Sequence, residues 1–229
     1  MLEPGFYNMD CIEGMRQFPD GYFDLAIVDP PYGGITPGGY MKNNTGEKGA
    51  AATKQYNMSL WKQEAPSGEY FEELFRVSYN QIVWGGNYFQ TKINKNSQCW
   101  LIWDKQNDSN KYADCEMAWT SFNKATRIFR FMWNGMLQGN MKDKEDRIHP
   151  TQKPVALYNW ILKNYAKPGD KILDTHVGSA SSLVACHKAG LEYWGFEIDP
   201  VYYEAAKKRL DRERAQVSLY DLDLTIASR

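Results

Sequence analysis

Residues 24–33 read DLAIVDPPYG, a segment from which both a sheet strand and a chemical site can be predicted. Its apolar run LAIV is typical of a short buried strand. The strand gives way to Asp29, Pro30, Pro31 and Tyr32. Both prolines lack N–H donors and hold the backbone extended, so the chain is expected to leave the sheet in a stiff, open form. This predicts that the Asp29 carboxylate, the Pro30 carbonyl and the Tyr32 ring face one small space.

Two oxygen acceptors beside an aromatic ring suit a flat group that carries an amino group, such as adenine or cytosine. The functional hypothesis is therefore that this corner of the protein binds a planar amine. A proline-rich turn without chemistry is the alternative, because a four-residue motif is short.

A second strand end carries the features of a nucleoside site. The segment LDTHVGSASS (173–182) passes from a strand ending at Asp174 through a turn at Gly178 into a helix, and such a turn brings backbone N–H groups close to a ligand. One strand later, Glu197 stands where an acid can accept hydrogen bonds from a ribose diol. Together they predict a nucleoside-containing cofactor at the carboxyl edge of a parallel sheet. The chain has neither GxGxxG nor a GK[ST] loop, which disfavours a dinucleotide or a nucleoside triphosphate.

Strand and helix patterns alternate along the chain. They predict strands over 5–8, 25–28, 81–89, 99–105, 171–174 and 193–199, a strand pair formed by 115–122 and 127–133, and helices over 11–18, 67–77, 155–166, from the turn at Gly178 to Ala189, and from Pro200 onward. Such alternation is typical of an α/β protein with a mostly parallel sheet and helices on both faces. Residues 218–229 give no prediction.

Length and composition set the outer limits. A chain of 229 residues fits one domain, 1–229, and its net charge of −1 means that contacts with nucleic acid must come from local basic patches. Residues 33–59 are rich in Gly, Asn, Thr, Lys and Ser and are long for a loop in a compact domain, which predicts a mobile loop over the strand end that carries Asp29.

Cysteine and histidine usage gives no sign of a metal site or a disulfide framework. The four cysteines form no CxxC pair, and the three histidines make no zinc pattern with them. The N-terminus lacks the pattern of a signal peptide, and no apolar run reaches membrane-spanning length. We therefore expect a soluble, cytoplasmic protein with reduced cysteines.

Four motifs in one order resemble the S-adenosylmethionine-dependent amino-methyltransferases of DNA. DPPY (29–32) looks like motif IV of that family, HPTQKP (149–154) like motif X, LDTHVGSASS (173–182) like motif I and GFEID (195–199) like motif II. This order is that of the circularly permuted β group. The segments WGGNYF and CWLIWDK are similar to sheet strands of small, often phage-borne members, and the likeness covers nearly the whole chain.

The resemblance implies a Rossmann-like class I methyltransferase sheet that transfers a methyl group from S-adenosylmethionine to the N6 atom of adenine in double-stranded DNA. The implied catalytic residues are Asp29, Pro30, Pro31 and Tyr32, with Tyr32 stacked on a flipped base. The implied cofactor-binding residues are Asp10, Cys11, Thr151, Lys153, Asp174, His176, Gly178, Ser179 and Glu197. Segments within about 105–148 would form a minimal target-recognition region. The setting implied is a bacterial or phage-infected host cell, with a role in restriction–modification or phage self-protection.

Two alternatives stay open. Transfer to the N4 atom of cytosine in DNA, or to RNA, would use the same acceptors, because these suit any planar amino group. The family usually has Asp-Pro-Phe before the glycine of motif I and Gly-Ser-Gly from it onward, where this chain has Thr175-His176 and Gly178-Ser179-Ala180. A catalytically weak protein that binds DNA is therefore the second alternative. The oligomeric state is also open, with a homodimer suggested by analogy alone.

Overall fold

A mixed sheet of eight strands forms the centre of the structure, a computed structural model that describes residues 1–33, 64–107, 113–134, 137–142 and 144–227, with 217–227 described by their backbone only. The strands in chain order are β1 (Gly5–Asn8), β2 (Phe23–Val28), β3 (Ser78–Trp84), β4 (Leu101–Asp104), β5 (Cys115–Thr120), β6 (Arg127–Arg130), β7 (Trp133–Asn134), β8 (Leu137–Gln138), β9 (Lys171–Asp174) and β10 (Glu192–Glu197), of which β7 and β8 form a separate hairpin. The helices are α1 (Cys11–Met15), α2 (Gly68–Val77), α3 (Gln90–Ile93), α4 (Val155–Tyr165), α5 (Ser181–Lys188) and α6 (Pro200–Ala227).

The strand order of the large sheet is β1-β10-β9-β2-β3-β5-β4-β6. Strand β2 pairs in parallel with β9 on one side, where Leu25 lies opposite Ile172, and with β3 on the other, where Val28 lies opposite Val83. The chain runs outward from β2 to β3 in one direction and from β9 to β10 in the other. The winding therefore reverses between β2 and β9, and at such a point the loops after the strands diverge and leave a crevice.

Alternation along β2 divides the core into two layers. Leu25 and Ile27 point to the face that packs against α4, α5 and α6, whereas Ala26 and Val28 point to the face that packs against α1 and α2. All four side chains are buried, which a strand covered by helices on both sides requires. The α/β class expected from the sequence, a mostly parallel sheet with helices on both faces, is confirmed.

Helix α2 shows how local sequence sets an element boundary. The Ser67 side chain accepts a hydrogen bond from the Tyr70 N–H at 3.2 Å and so caps the first turn. Phe71, Leu74 and Val77 then recur on one face and are buried against the sheet.

Two sequence predictions about elements are corrected. The strand expected over 81–89 ends at Trp84, because Gly85 takes a left-handed conformation (φ 68°) and a short 3-10 helix follows over Gly86–Tyr88. The strands expected over 115–122 and 127–133 do not pair with each other: β4 lies between them, antiparallel to β5 and parallel to β6. The last helix continues to Ala227 and so includes residues 218–227, which carry no sequence prediction.

Some expectations concern parts of the chain that the structure does not describe. The loop predicted over 33–59 lies, from residue 34 onward, outside the described residues, as do 108–112, 135–136 and 143 of the predicted recognition region. Among the helices that are described, none is long and apolar enough to cross a bilayer.

Gly86→Ala is expected to destabilise the fold. A Cβ atom at this position would stand 2.4 Å from Trp119 Cβ and 2.8 Å from the Trp119 backbone nitrogen, so strand β5 itself would have to move. Overpacking of this kind lowers the free energy of unfolding by about 1–3 kcal/mol. Urea denaturation measures the change. Gly68→Ala is the matched control, because a Cβ there meets nothing within 4 Å, and equal stability of the two variants would contradict the prediction.

Candidate functional site

The carboxyl ends of four parallel strands gather the residues that the sequence singled out. Asp29 follows directly after β2, and Asp174 is the last residue of β9. Glu197 ends β10, where it lies opposite Asn8 of β1, and Asp10 follows two residues later. Since these strands are neighbours in the order β1-β10-β9-β2, their ends form one continuous edge at the crevice described above.

Asp29 is held by two donors. Its Oδ1 accepts a hydrogen bond from the Tyr32 hydroxyl at 2.7 Å, and its Oδ2 lies 2.5 Å from the Lys153 Nζ. The Lys153 Nζ is also 3.4 Å from the Tyr32 hydroxyl and lies over the Trp84 ring at 5.4 Å. The Asp29 side chain keeps 15% of its surface exposed, whereas that of Lys153 keeps 3%. Of the neighbouring prolines, Pro30 is buried and Pro31 is half-buried.

The charges continue away from Asp29 into strand β5. Lys153 Nζ forms a second ion pair with Glu116 Oε2 at 2.9 Å, and Glu116 Oε1 pairs with Lys105 Nζ at 2.6 Å. The exposed fractions of Glu116 and Lys105 are 14% and 12%. We call these four side chains, Asp29, Lys153, Glu116 and Lys105, the charged row.

Burial and ion pairing act against each other in the charged row. Burial raises the pKa of the Asp29 carboxyl, and the Lys153 ammonium opposes that rise. Burial would also raise the pKa of Glu116, but Lys153 and Lys105 prevail and lower it to about 2. For Lys153, burial lowers the pKa, and the two carboxylates outweigh burial and raise it. Lys153 and Glu116 are therefore both charged at neutral pH.

The Tyr32 ring packs against three neighbouring residues. It lies 5.2 Å from the Tyr88 ring at an interplanar angle of 31° and 5.9 Å from the Phe89 ring. A Cβ atom at Gly85 would stand 2.2 Å from Tyr32 Cε1, so the left-handed glycine that ends β3 also makes room for this ring. Tyr88 is 43% exposed, which leaves aromatic surface open beside Tyr32.

The end of β9 is an enclosed hydrogen-bonded corner. Asp174 Oδ2 accepts from the Ser182 hydroxyl, and its Oδ1 accepts from the His176 backbone N–H at 3.0 Å. The Thr175 hydroxyl lies 2.7 Å from the Tyr70 hydroxyl and 2.9 Å from His176 Nδ1. Burial raises the pKa of Asp174 to about 7 and lowers that of His176 to about 4, so the imidazole is neutral at neutral pH.

The glycine turn follows this corner. Gly178 adopts a left-handed conformation (φ 55°), and its N–H donates to Glu197 Oε2 at 2.9 Å. The other Glu197 oxygen, Oε1, accepts the Asp199 N–H at 2.9 Å. Beyond the end of the neighbouring strand β1, Asp10 Oδ1 caps α1 by accepting hydrogen bonds from the Ile12 and Glu13 N–H groups. Cys11 begins that helix, and burial raises the pKa of its thiol to about 12, so it is an unreactive thiol.

The HPTQKP segment (149–154) lies directly before α4 and contacts both parts of the site. A Cβ atom at Gly178 would stand 3.5 Å from the His149 ring, whose Nδ1 lies 3.1 Å from the Thr151 hydroxyl. Thr151 is thus linked to the glycine turn through His149. Lys153, two residues later, reaches Asp29 instead.

Arg209 of α6 ties the glycine turn to the segment before α4. It donates to the Ser179 carbonyl at 2.9 Å and pairs with Glu145 Oε2 at 2.6 Å. Glu145 Oε1 accepts the N–H of Val155, the first residue of α4. The Ser179 hydroxyl lies 3.0 Å from that of Ser181, which accepts a hydrogen bond from Arg209.

The structure therefore arranges the sequence-predicted residues in two groups that share one edge. Asp29, Tyr32 and Lys153 form the first group, and Asp174, His176, Gly178, Ser179, Glu197, Asp10, Cys11 and Thr151 surround the glycine turn in the second. Sequence reasoning missed Glu116, Lys105, Arg209 and Tyr70. The available signal for Glu116 was a single acidic residue within a strand pattern. With β5 expected to pair with β6, that signal did not place Glu116 near Asp29 or Lys153. In the described part of the chain, no group of three or more His, Cys, Asp or Glu side chains could hold a metal ion.

A family model described as DNA methylase, N6_N4_Mtase, matches residues 51–208. Type II methyltransferase M.HinfI from Haemophilus influenzae is 24% identical over 88% of this chain, and the chain spans 66% of the length of that relative.

Two solved structures share the fold. The M1.HpyAVI–SAM complex superposes with a TM-score of 0.55 at 20% identity and covers 89% of this chain and 98% of its own. The cytosine-N4-specific PvuII DNA methyltransferase gives a TM-score of 0.58 at 12% identity, with 95% of this chain and 93% of its own covered. The Rossmann-like methyltransferase fold expected from the motif order is thereby confirmed.

Asp174→Asn is expected to flatten one part of the pH dependence of stability. The pKa of Asp174 is about 7 in the folded state, whereas an unfolded Asp titrates at about 3.9. Between these values the folded state binds more protons than the unfolded state. This carboxyl therefore lowers the free energy of unfolding as the pH rises, by at most about 1.4 kcal/mol per pH unit.

Urea denaturation of wild type and Asp174→Asn across this window measures the effect. The free energy of unfolding of the wild type, taken relative to the variant, should fall as the pH rises from about 4 to about 7. A difference that is constant with pH would show that Asp174 stays ionised in the folded protein.

Proposed function

The chain belongs to the N6_N4_Mtase family of DNA methylases, and on that premise we propose that it transfers a methyl group from S-adenosylmethionine to the exocyclic N6 of adenine in double-stranded DNA. One observation carries the proposal: the Asp29 carboxylate and the Tyr32 ring stand together at the edge of β2, beside the glycine turn that follows β9. An acceptor for an amine and a turn suited to a nucleoside thus meet at the switch point of the sheet.

The chemistry asked of Asp29 follows from the poor nucleophilicity of the amine. The lone pair of an exocyclic amino group is delocalised into the ring, so it must be turned out of conjugation before it can attack a methyl carbon. Asp29 and the Pro30 carbonyl accept its two hydrogens and leave the lone pair facing the sulfonium methyl group. The same acceptors stabilise the positive charge that develops on nitrogen. When bound, S-adenosylmethionine would supply the methyl group to this nitrogen and be left as the neutral thioether, and the proton lost from the nitrogen would pass to solvent.

Tyr32 supplies the surface for a base that has left the duplex. Its ring packs close to Gly85 and the Phe89 ring, and an aromatic face beside an amine acceptor suits a stacked purine. Target bases of DNA methyltransferases must leave the stack to reach such a corner.

The second group of residues fits S-adenosylmethionine, which supplies an electrophilic methyl group when bound. Glu197 accepts one backbone N–H on each oxygen, and an ionised carboxylate has lone pairs left for a ribose diol. The neutral His176 imidazole offers a flat surface beside the Gly178 turn. In this arrangement Asp174 shapes the turn, while Asp10 and Cys11 border the nucleoside end and Thr151 borders the amino-acid end. Lys153, for which the resemblance implies a place at the amino-acid end, has its Nζ on Asp29.

Adenine is proposed over cytosine because an Asp-Pro-Pro-Tyr motif is commoner among the adenine enzymes that this sequence resembles. The likeness to the cytosine-N4-specific PvuII enzyme keeps cytosine N4 as the second candidate. Segments between about 105 and 148 are proposed to contact the DNA, since they carry several exposed cations: Lys124, Arg127, Arg130, Lys142 and Lys144.

Tritium transfer from labelled S-adenosylmethionine to unmethylated genomic DNA tests the proposal. After digestion to nucleosides, the label should appear in N6-methyl-2′-deoxyadenosine, and recovery in N4-methyl-2′-deoxycytidine would replace adenine by cytosine. Asp29→Ala should abolish transfer while calorimetry still detects cofactor binding, because Asp29 lies in the other group of residues. Methylation retained in Asp29→Ala would overturn the mechanism.

Tyr32→Phe and Tyr32→Ala separate the hydroxyl from the ring. Loss of the hydroxyl removes one hydrogen bond to Asp29, which is expected to slow transfer about two- to tenfold. Loss of the ring also removes base stacking, so Tyr32→Ala should be at least about tenfold slower still. Single-turnover rates measure both. Equal losses would assign the role of Tyr32 to its hydroxyl alone.

A further inference from the structure

The Lys153 ammonium group lies between two carboxylates, one of which is the proposed amine acceptor. Its Nζ is 2.5 Å from Asp29 Oδ2 and 2.9 Å from Glu116 Oε2, and its side chain is almost fully buried. Lys105 closes the far side of Glu116. Negative and positive groups therefore alternate along the charged row, and Asp29, at its end, also accepts a hydrogen bond from the Tyr32 hydroxyl at 2.7 Å.

The protonation state of Asp29 depends on its surroundings. Among the described residues, six titratable groups interact electrostatically with the Asp29 carboxyl: Lys153, Glu116, Tyr32, Asp174, Tyr70 and Tyr158. Within that set Lys153 is the one cation. Burial by itself favours the protonated carboxyl, and a protonated carboxyl donates a hydrogen bond where the target amine needs an acceptor.

On the basis of the proposed function, we propose that Lys153 is a positioning residue for Asp29, which keeps the carboxylate ionised and fixed, and that Glu116 sets the strength of this effect. With Tyr32 on Oδ1 and Lys153 on Oδ2, each oxygen still has a lone pair for the target amine. This role differs from the cofactor contact that the sequence resemblance implied for Lys153.

Two substitutions should shift the pH dependence of methyl transfer in opposite directions. Lys153→Met removes the cation that stabilises the Asp29 carboxylate, so the acid limb of the rate profile moves to higher pH. Glu116→Gln removes a like charge and keeps the shape of the side chain, so the limb moves to lower pH. A shift of one pH unit corresponds to about a tenfold change in rate on the limb. A purely structural role would lower the rate equally at every pH.

Single-turnover transfer to unmethylated DNA, with enzyme and S-adenosylmethionine at saturation, gives the profile between about pH 5 and pH 9. Calorimetry with S-adenosylmethionine and thermal unfolding are measured on the same proteins. Lys163→Met, an exposed position of α4, is the matched control and should follow the wild type. Coincident limbs for wild type, Lys153→Met and Glu116→Gln would overturn the proposal, as would a change in Lys153→Met confined to cofactor affinity.

Carbon-13 NMR titration of the Asp29 carboxyl provides a readout that needs no turnover. The expected order of the carboxyl pKa is Lys153→Met above wild type and wild type above Glu116→Gln, and any other order would overturn the proposal. If Lys153→Met does not fold, Glu116→Gln alone decides through the direction of its shift. Absence of methyl transfer in the wild type, with this order intact, would count against the proposed function only.

Discussion

The parallel pairing of β2 with β9 is the constraint on which the rest of the structure depends. These strands come from opposite halves of the chain, and the register of Leu25 against Ile172 places the residues that follow each strand side by side. Asp29 and Tyr32 arrive on one strand, and Asp174 and the Gly178 turn arrive on the other. Because both strands are buried on both faces, a slip of register would move apolar side chains to the wrong layer of the core. Core packing therefore fixes the relative position of the two groups of the site.

The charged row is costly to bury, and its position explains why it is present. Replacing a buried ion pair by apolar side chains is often neutral or stabilising, because removing ions from water costs as much as their attraction returns. Lys153 is held with 3% exposure between Asp29 and Glu116, so folding alone does not call for it. Lys153 lies beside the proposed amine acceptor, which gives a functional reason for burying its charge. Groups that cost stability are often found at functional sites.

The ends of strands were predictable from the sequence, whereas the pairing of strands was not. Asp29, Asp174 and Glu197 each follow an apolar run, and parallel topology brings such ends to one edge. The local pattern of 115–120 is the same whether its neighbour is β4, β3 or β6, so the insertion of β5 beside β3, and with it Glu116, could not be deduced. The end of β3 depends on the left-handed conformation of Gly85. Glycine adopts positive and negative φ about equally readily, so its presence in the sequence does not predict where the strand ends. The roles of Arg209 and Tyr70 likewise depend on contacts between elements far apart in sequence.

The strand order also has a consequence for how the chain reaches this state during synthesis. Among the described strands, β1 pairs with β10 alone, and β2 lacks one neighbour until β9 has been made. Until residues 171–197 leave the ribosome, both early strands have unpaired backbone groups along an apolar edge, where premature association with other chains is favoured. Closing such distant pairs is slow compared with local contacts. A nascent chain of this kind would therefore benefit from a chaperone that shields β2 until the last third of the polypeptide has emerged.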